Sequence, residues 1–265
     1  MTARRLVDRR IDHVVLDLHG TLIGPPGPVG GNGAALVVRR LRERGLGVHV
    51  TTNSSTTSAE EASALLRGIG VVIPADHIAS AGHAMALYLN ERHPRARVFV
   101  VGQGRFRRLL RALCDKEIEW SSARDAGVVV VGRNPQLGAR QLDEMRALSP
   151  NAVLLATSAD AGVPGQPAAA APFATVRAVE RVLGRRATII GKPNPFMVER
   201  ILRLHDADLR RTVMVGDSYD EDVTLAYNAG AYAIHIRPPR ETSPPAAMPY
   251  AAIDALSDLP SALGI

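Results

Sequence analysis

The stretch GVVVVG at residues 127–132 places four valines in a row with no polar residue among them. DHVVLDL, GVHVTT, RVFVVG, AVLLAT, ATIIGK, TVMVGD and AYAIHI are similarly short and mostly apolar. A strand with one face in water alternates apolar and polar residues, whereas strands covered on both faces, as in parallel sheets, read as near-continuous apolar runs. Between these runs, NGAALVVRRLRERG, TSAEEASALLRGIG, HAMALYLNERH, QLDEMRALS, FATVRAVERVLG and NPFMVERILRLH space apolar residues at helical intervals, several of them stopping at Gly. The resulting βαβ rhythm predicts an α/β fold, a doubly wound parallel sheet of Rossmann-like type with right-handed crossovers. Internal repeats are not evident. GVPGQPAAAAPFA is the one low-complexity piece and reads as a loop leading into a helix.

Composition narrows the function classes. A chain of 265 residues with 46% apolar content buries a real core. The lone Cys114 excludes a disulfide framework and reads as packing, and no run is long and apolar enough to suggest a leader or a membrane span. The expectation is a cytoplasmic protein without a membrane partner. The net charge of +6 raises nucleic acid as a partner, but RRLVDRR, RFRRLLR and GRRAT are short and far apart, and aromatic residues make up only 4%. Nucleic acid is therefore not expected as the main partner. Only two of the 32 basic residues are lysines, Lys116 and Lys192, so the position of either carries information.

In a doubly wound sheet, ligands bind at the carboxyl ends of the strands. The residues there are Asp17 and His19, Thr52 and Asn53, Lys192, and Asp217 followed by Asp220 and Asp222. Carboxylates supply the oxygen ligands that Mg²⁺ demands, and a hydroxyl, an amide and an ammonium suit phosphate oxygens. A carboxylate beside the metal can attack phosphorus without a nucleophilic Ser or Cys. Taken singly, each residue has a plainer reading. Asp17 would cap a turn, Thr52 and Asn53 with Ser54 would cap a helix, Asp217 to Asp222 would be a solvated helix start, and Lys192 would be a surface charge.

In order along the chain, VVLDLHGTL, VHVTTNSS, GKPNP and VMVGDSYDEDV resemble the four motifs of the haloacid dehalogenase superfamily of phosphatases, in wording closest to the NagD-like or p-nitrophenylphosphatase-like branch. The middle segments IASAGHAMALYL, VFVVGQGRFRRLL, DAGVVVVG and LLATSADAGVP are similar to that branch's large α/β cap domain, inserted in the Rossmann-like core. The resemblance implies a Mg²⁺-dependent hydrolase of a small phosphomonoester that passes through an aspartyl-phosphate. It makes Asp17 the nucleophile and a metal ligand, Asp217 the second metal carboxylate, and the His19 backbone carbonyl a further ligand. Thr52, Asn53 and Lys192 would hold phosphate, Lys192 also neutralising the nucleophile, with Asp222 and, more weakly, Asp220 in the outer shell.

His19 departs from the pattern, because the family's phosphatases usually carry a second Asp there as general acid and base. Imidazole can serve in both steps, and residues i and i+2 of a strand share a face, so His19 is expected beside Asp17. A phosphate-binding protein of impaired activity and a phosphotransferase or mutase are the alternatives. The other seven histidines show no metal-ligand spacing and read as structural. Expected boundaries are a core over 1–81 and 187–265 and a cap over 82–186. Expected partners are a small phosphorylated metabolite and, through the cap, a second copy of the chain.

Overall fold

The structure, a computed structural model, describes residues 9–24, 32–159, 172–237 and 251–265. Most of RRLVDRR and of the Ala/Pro-rich loop falls outside the described residues. The chain opens with β1 (His13–Asp17), α1 (Asn32–Glu43), β2 (Gly47–Thr52), α2 (Ala59–Gly68) and β3 (Ile78–Ser80). It continues through α3 (Ala81–Arg92), β4 (Arg97–Val101), α4 (Gly104–Leu113), β5 (Glu119–Trp120), β6 (Val128–Val131), α5 (Ala139–Met145), β7 (Val153–Ala156), α6 (Pro172–Leu183) and β8 (Thr188–Ile189). The last stretch holds α7 (Phe196–Leu204), β9 (Thr212–Gly216), α8 (Thr224–Ala229), β10 (Tyr232–Ile236), β11 (Ala251–Ile253) and α9 (Leu259–Ala262).

These elements form two compact units. The first holds the chain up to Thr52, Ala59–Ala79 and Lys192–Ile265; the second holds Asn53–Ser58 and Ser80–Gly191. The first is built on a six-stranded sheet in the order β11-β10-β9-β1-β2-β3. Its pairings from β11 through β10, β9 and β1 to β2 are all parallel. The order runs outward from β1 in both directions, as in a doubly wound sheet. Val14, Leu16, Val48, Val50, Val213 and Val215 from its three central strands lie in one buried cluster with Leu41 and Leu66 of the helices, which is why these strands carry no polar alternation.

The second unit is a five-stranded parallel sheet, β5-β4-β6-β7-β8. All four valines of β6 are buried, and its core gathers Val129, Val131, Leu154, Met145, Val176 and Val179. ATIIGKP does not return to the first sheet, as the sequence suggested. Thr188 and Ile189 pair with Leu155 and Ala156 of β7, so β8 completes the second sheet and the division falls after Gly191. At the other end, the main segment of the second unit starts at Ser80.

Four histidines read from the sequence as isolated structural residues meet in the first unit. His49 stacks on His13 and His77, with ring centroids 5.3 Å and 4.8 Å away, and His205 lies 5.0 Å from His49 and 3.8 Å from His77. Gly47 makes room for them, since a Cβ there would stand 2.3 Å from His13 Nδ1. Burial, then the neighbouring imidazoles, pushes His49 down from 6.5 to about 3. The unfolded chain therefore takes up a proton near pH 6.5 that the fold refuses. Stability should be fully present above pH 6.5 and fall progressively as the pH drops below it. Urea unfolding in EDTA at pH 7.5 and pH 5 should show this loss, and His49→Leu should shrink the difference; an undiminished pH dependence in His49→Leu would contradict the assignment.

Candidate active site

The carboxyl edge of the first sheet collects the charged residues. β1 lies between β2 and β9, with Asp17 opposite Thr51 and Leu16 opposite Val215. Asp17, Thr52 and Asp217 thus leave their strands at one edge. Asp17 and Thr52 are buried, and Lys192, where the chain re-enters the first unit, is 2% exposed. The Lys192 ammonium donates to Asp17 Oδ1 and, at 2.8 Å, to Asp222 Oδ1. Lys192 is therefore no surface charge, and Asp17 no turn cap.

Asp222 reaches the site through an irregular element. Ser218 accepts from Glu221 N and starts a π-turn over Tyr219–Val223, and Ser218 N donates back to Asp222 Oδ2 at 3.2 Å. Such wide turns are rare and frequently found at functional sites. Two glycines open the space: a Cβ at Gly216 would fall 2.1 Å from the Asp222 carboxylate, and one at Gly20, whose φ is +96°, would fall 2.0 Å from that of Asp217.

Asp17, Asp217 and Asp222 each offer an oxygen within 4.8 Å of the others. Burial raises all-negative clusters of this kind toward protonation. Burial, with Asp222 and Asp217 adding to it against the pull of Lys192, pushes Asp17 up to about 7. Asp217 is raised too, first by burial and then by Asp222. Burial opposes the charge on Lys192, but Asp17 and Asp222 outweigh it and hold the ammonium protonated. Three carboxylates against one ammonium leave uncompensated negative charge, and their hard oxygens are the donor set for a small divalent cation.

His19 is placed differently from the expectation. β1 ends at Asp17, and Leu18 is fully buried, its N–H donating to Thr51 O at 3.0 Å. The chain then turns, with Gly20 N donating to Ile23 O and Ile23 N to Leu18 O. His19 is exposed in this turn, its Nδ1 3.4 Å from Thr52 Oγ1. The turn, and not strand alternation, sets its direction. Asn53 belongs to the second unit, where its side-chain oxygen lies close against Gly191. Ser54 caps the turn that follows, accepting from Thr56 N and Thr57 N. Asp220 is exposed and stands outside the converging carboxylates.

One positioning residue escaped the sequence reading. His235, opposite Gly216 on β10 and nearly buried, donates from Nε2 to the Asp217 carbonyl at 3.2 Å, with Tyr219 edge-on to its ring. Only the β9–β10 register brings it there.

Carboxylates and a buried lysine thus meet in one parallel α/β unit, in an arrangement that suits hydrolysis assisted by a cation. The haloacid dehalogenase-like hydrolase model matches residues 14–113 and a second HAD-hydrolase-like model matches 189–258, and the chain belongs to the haloacid dehalogenase-like hydrolases. It is 28% identical over 225 residues to an acid sugar phosphatase of Staphylococcus saprophyticus and 25% to one of Staphylococcus epidermidis, covering 84% of this chain and 85% of each relative. The 4-nitrophenylphosphatase of Thermotoga maritima superposes with a TM-score of 0.81 at 26% identity, over 96% of this chain and 98% of that one. NagD of Escherichia coli K-12 shares the fold, with a TM-score of 0.79 at 22% identity over 94% and 98%.

The two glycines make a test of the cradle. Gly216→Ala should displace the Asp222 carboxylate, loosen Lys192 and lower turnover at least tenfold while the chain remains folded; unchanged turnover in a folded variant would mean that Asp222 needs no such space.

Proposed function

We propose that this chain hydrolyses a small, sugar-type phosphomonoester, with Asp17 as nucleophile and His19 as general acid and base. The observation that carries the reading is the buried Asp17–Lys192–Asp222 triad at the strand ends, with Asp217 beside it. Phosphomonoester hydrolysis is also the chemistry named for the curated relatives.

Lys192 engages Asp17 Oδ1, which leaves Oδ2 for attack on phosphorus. As the Asp17–phosphorus bond forms, the ester oxygen departs and takes a proton from the His19 imidazole. Water then attacks phosphorus, giving its proton to His19, and the bond to Asp17 breaks to release inorganic phosphate. His19 thus ends each cycle protonated as it began. Thr52, buried and within reach of His19 Nδ1, donates its hydroxyl to a phosphate oxygen. Lys192 fixes the nucleophile and compensates its charge, and Asp222 holds Lys192 in place. Mg²⁺, held by Asp17, Asp217 and the His19 backbone carbonyl, would neutralise the phosphate's non-bridging oxygens.

The test uses two substrates. With Mg²⁺ the protein should release inorganic phosphate from a hexose phosphate, and Asp17→Asn should abolish this. An alkoxide leaving group needs a proton and nitrophenolate does not, so His19→Ala should lose about 10²–10⁴-fold on the hexose phosphate and far less on p-nitrophenyl phosphate. Equal losses on both substrates would remove His19 from proton transfer. Phosphate binding without any turnover would leave a binding protein, and transfer of the phosphoryl group to an added sugar faster than to water would make it a phosphotransferase.

A further inference from the structure

The histidine stack lies away from the carboxylate centre. His13 begins β1 and Asp17 ends it, four residues or about 13 Å along an extended strand. His49 comes from β2, His77 from the turn before β3 and His205 from the residue after α7, so four distant parts of the sequence meet here. Packing alone does not call for this residue type, since each ring brings a polar atom that burial leaves in want of a partner.

The hydrogen bonds divide the six nitrogens of His49, His77 and His205 into two sets. His77 Nδ1 stands 3.1 Å from the Val48 carbonyl, and His205 Nε2 stands 3.0 Å from the Asp76 carbonyl. A carbonyl only accepts, so those nitrogens carry the protons, leaving His77 Nε2 and His205 Nδ1 as bare lone pairs. His49 Nε2 is 3.1 Å from His13 Nδ1. His49 is fully buried, and its Nδ1 has no hydrogen-bond partner among the described residues. If Nε2 donates to His13, that Nδ1 is a third lone pair, with no donor to accept from among the described residues.

Each of the three residues offers a ring nitrogen, Nδ1 or Nε2, within 4.8 Å of one from each of the other two. We propose that His49, His77 and His205 bind a divalent late first-row transition ion such as Zn²⁺, at a site separate from the carboxylate centre. Neutral imidazoles with no thiolate or carboxylate among them suit Zn²⁺, Ni²⁺, Co²⁺ or Cu²⁺ and not Mg²⁺. Metal-bound histidines donate their other ring N–H to a carbonyl or similar acceptor, which fixes ring and tautomer. Val48, Asp76 and His13 supply those acceptors here. Nitrogens about 2.1 Å from a tetrahedral ion stand about 3.4 Å apart, so the rings must draw inward on binding. His77 and His205 are only partly buried, which gives the ion its way in and leaves a fourth position for water. Bound there, the ion would pin β2 to the turn before β3 and to the end of α7, stabilising the folded chain by mass action.

The experiment uses the full chain, stripped of metal and held in excess Mg²⁺ so that the carboxylate centre is occupied. Zn²⁺ should bind at one equivalent and raise the unfolding temperature. His77→Gln and His205→Gln should each weaken that binding by about 100-fold, and His13→Ala, which removes only an orienting partner, by about tenfold. Hydrolysis supported by Mg²⁺ should persist in all three. Co²⁺ in the parent should give the intense visible absorption of a tetrahedral nitrogen site, a reading that stands even if a variant fails to fold. Absence of Zn²⁺ binding under Mg²⁺, equal binding by the folded histidine variants, or only the weak spectrum of six-coordinate Co²⁺ would overturn the proposal.

Discussion

The carboxyl end of the first sheet depends on one buried ammonium. Lys192 bonds to Asp17 and Asp222 together, and all three side chains are almost wholly withdrawn from water. A buried ion pair adds little net stability when intact, but removing one partner strands a charge at a cost of about 3–5 kcal/mol. The arrangement therefore serves specificity of placement more than stability. It ties the end of β1 and the π-turn after β9 to the point where the chain re-enters the first unit.

Much of the surrounding structure follows from making room for that group. Gly216 and Gly20 lack side chains where any Cβ would overlap a carboxylate, and the π-turn over Tyr219–Val223 points Asp222 inward while Asp220, two residues earlier, faces solvent. A regular helix start would have left the choice between these two acids open. The central parallel strands, buried on both faces, hold the three strand ends in register without help from the ligands.

What the sequence revealed and what it hid divide along physical lines. The eight apolar runs all became strands; in seven of them most residues are buried, which leaves few other options, whereas β8 keeps only two residues, one exposed and one half-buried. β3, β5 and β11 are two or three residues long, too short for a period, and went unseen. β8 was seen but placed in the wrong sheet, since an apolar run does not name its neighbour. The strand-end positions of Asp17, Thr52 and Asp217 were legible in the sequence, whereas Lys192 meets Asp17 from the point where the chain re-enters the first unit. The direction of His19 depends on a turn that strand periodicity does not describe. His13, His49, His77 and His205 have no local spacing at all, and only the tertiary fold assembles them.

All these features serve the claim that Asp17 is the group phosphorus reaches first. The most direct measurement quenches the enzyme in acid during turnover of a hexose phosphate with Mg²⁺, reduces it with borohydride, which converts an acyl phosphate to an alcohol, and maps the product by peptide mass spectrometry. The account predicts homoserine at position 17 and at no other acid, present only when substrate was added. An enzyme that turns over while residue 17 is recovered as unmodified aspartate, or with the label on Asp217 or Asp222, would contradict it.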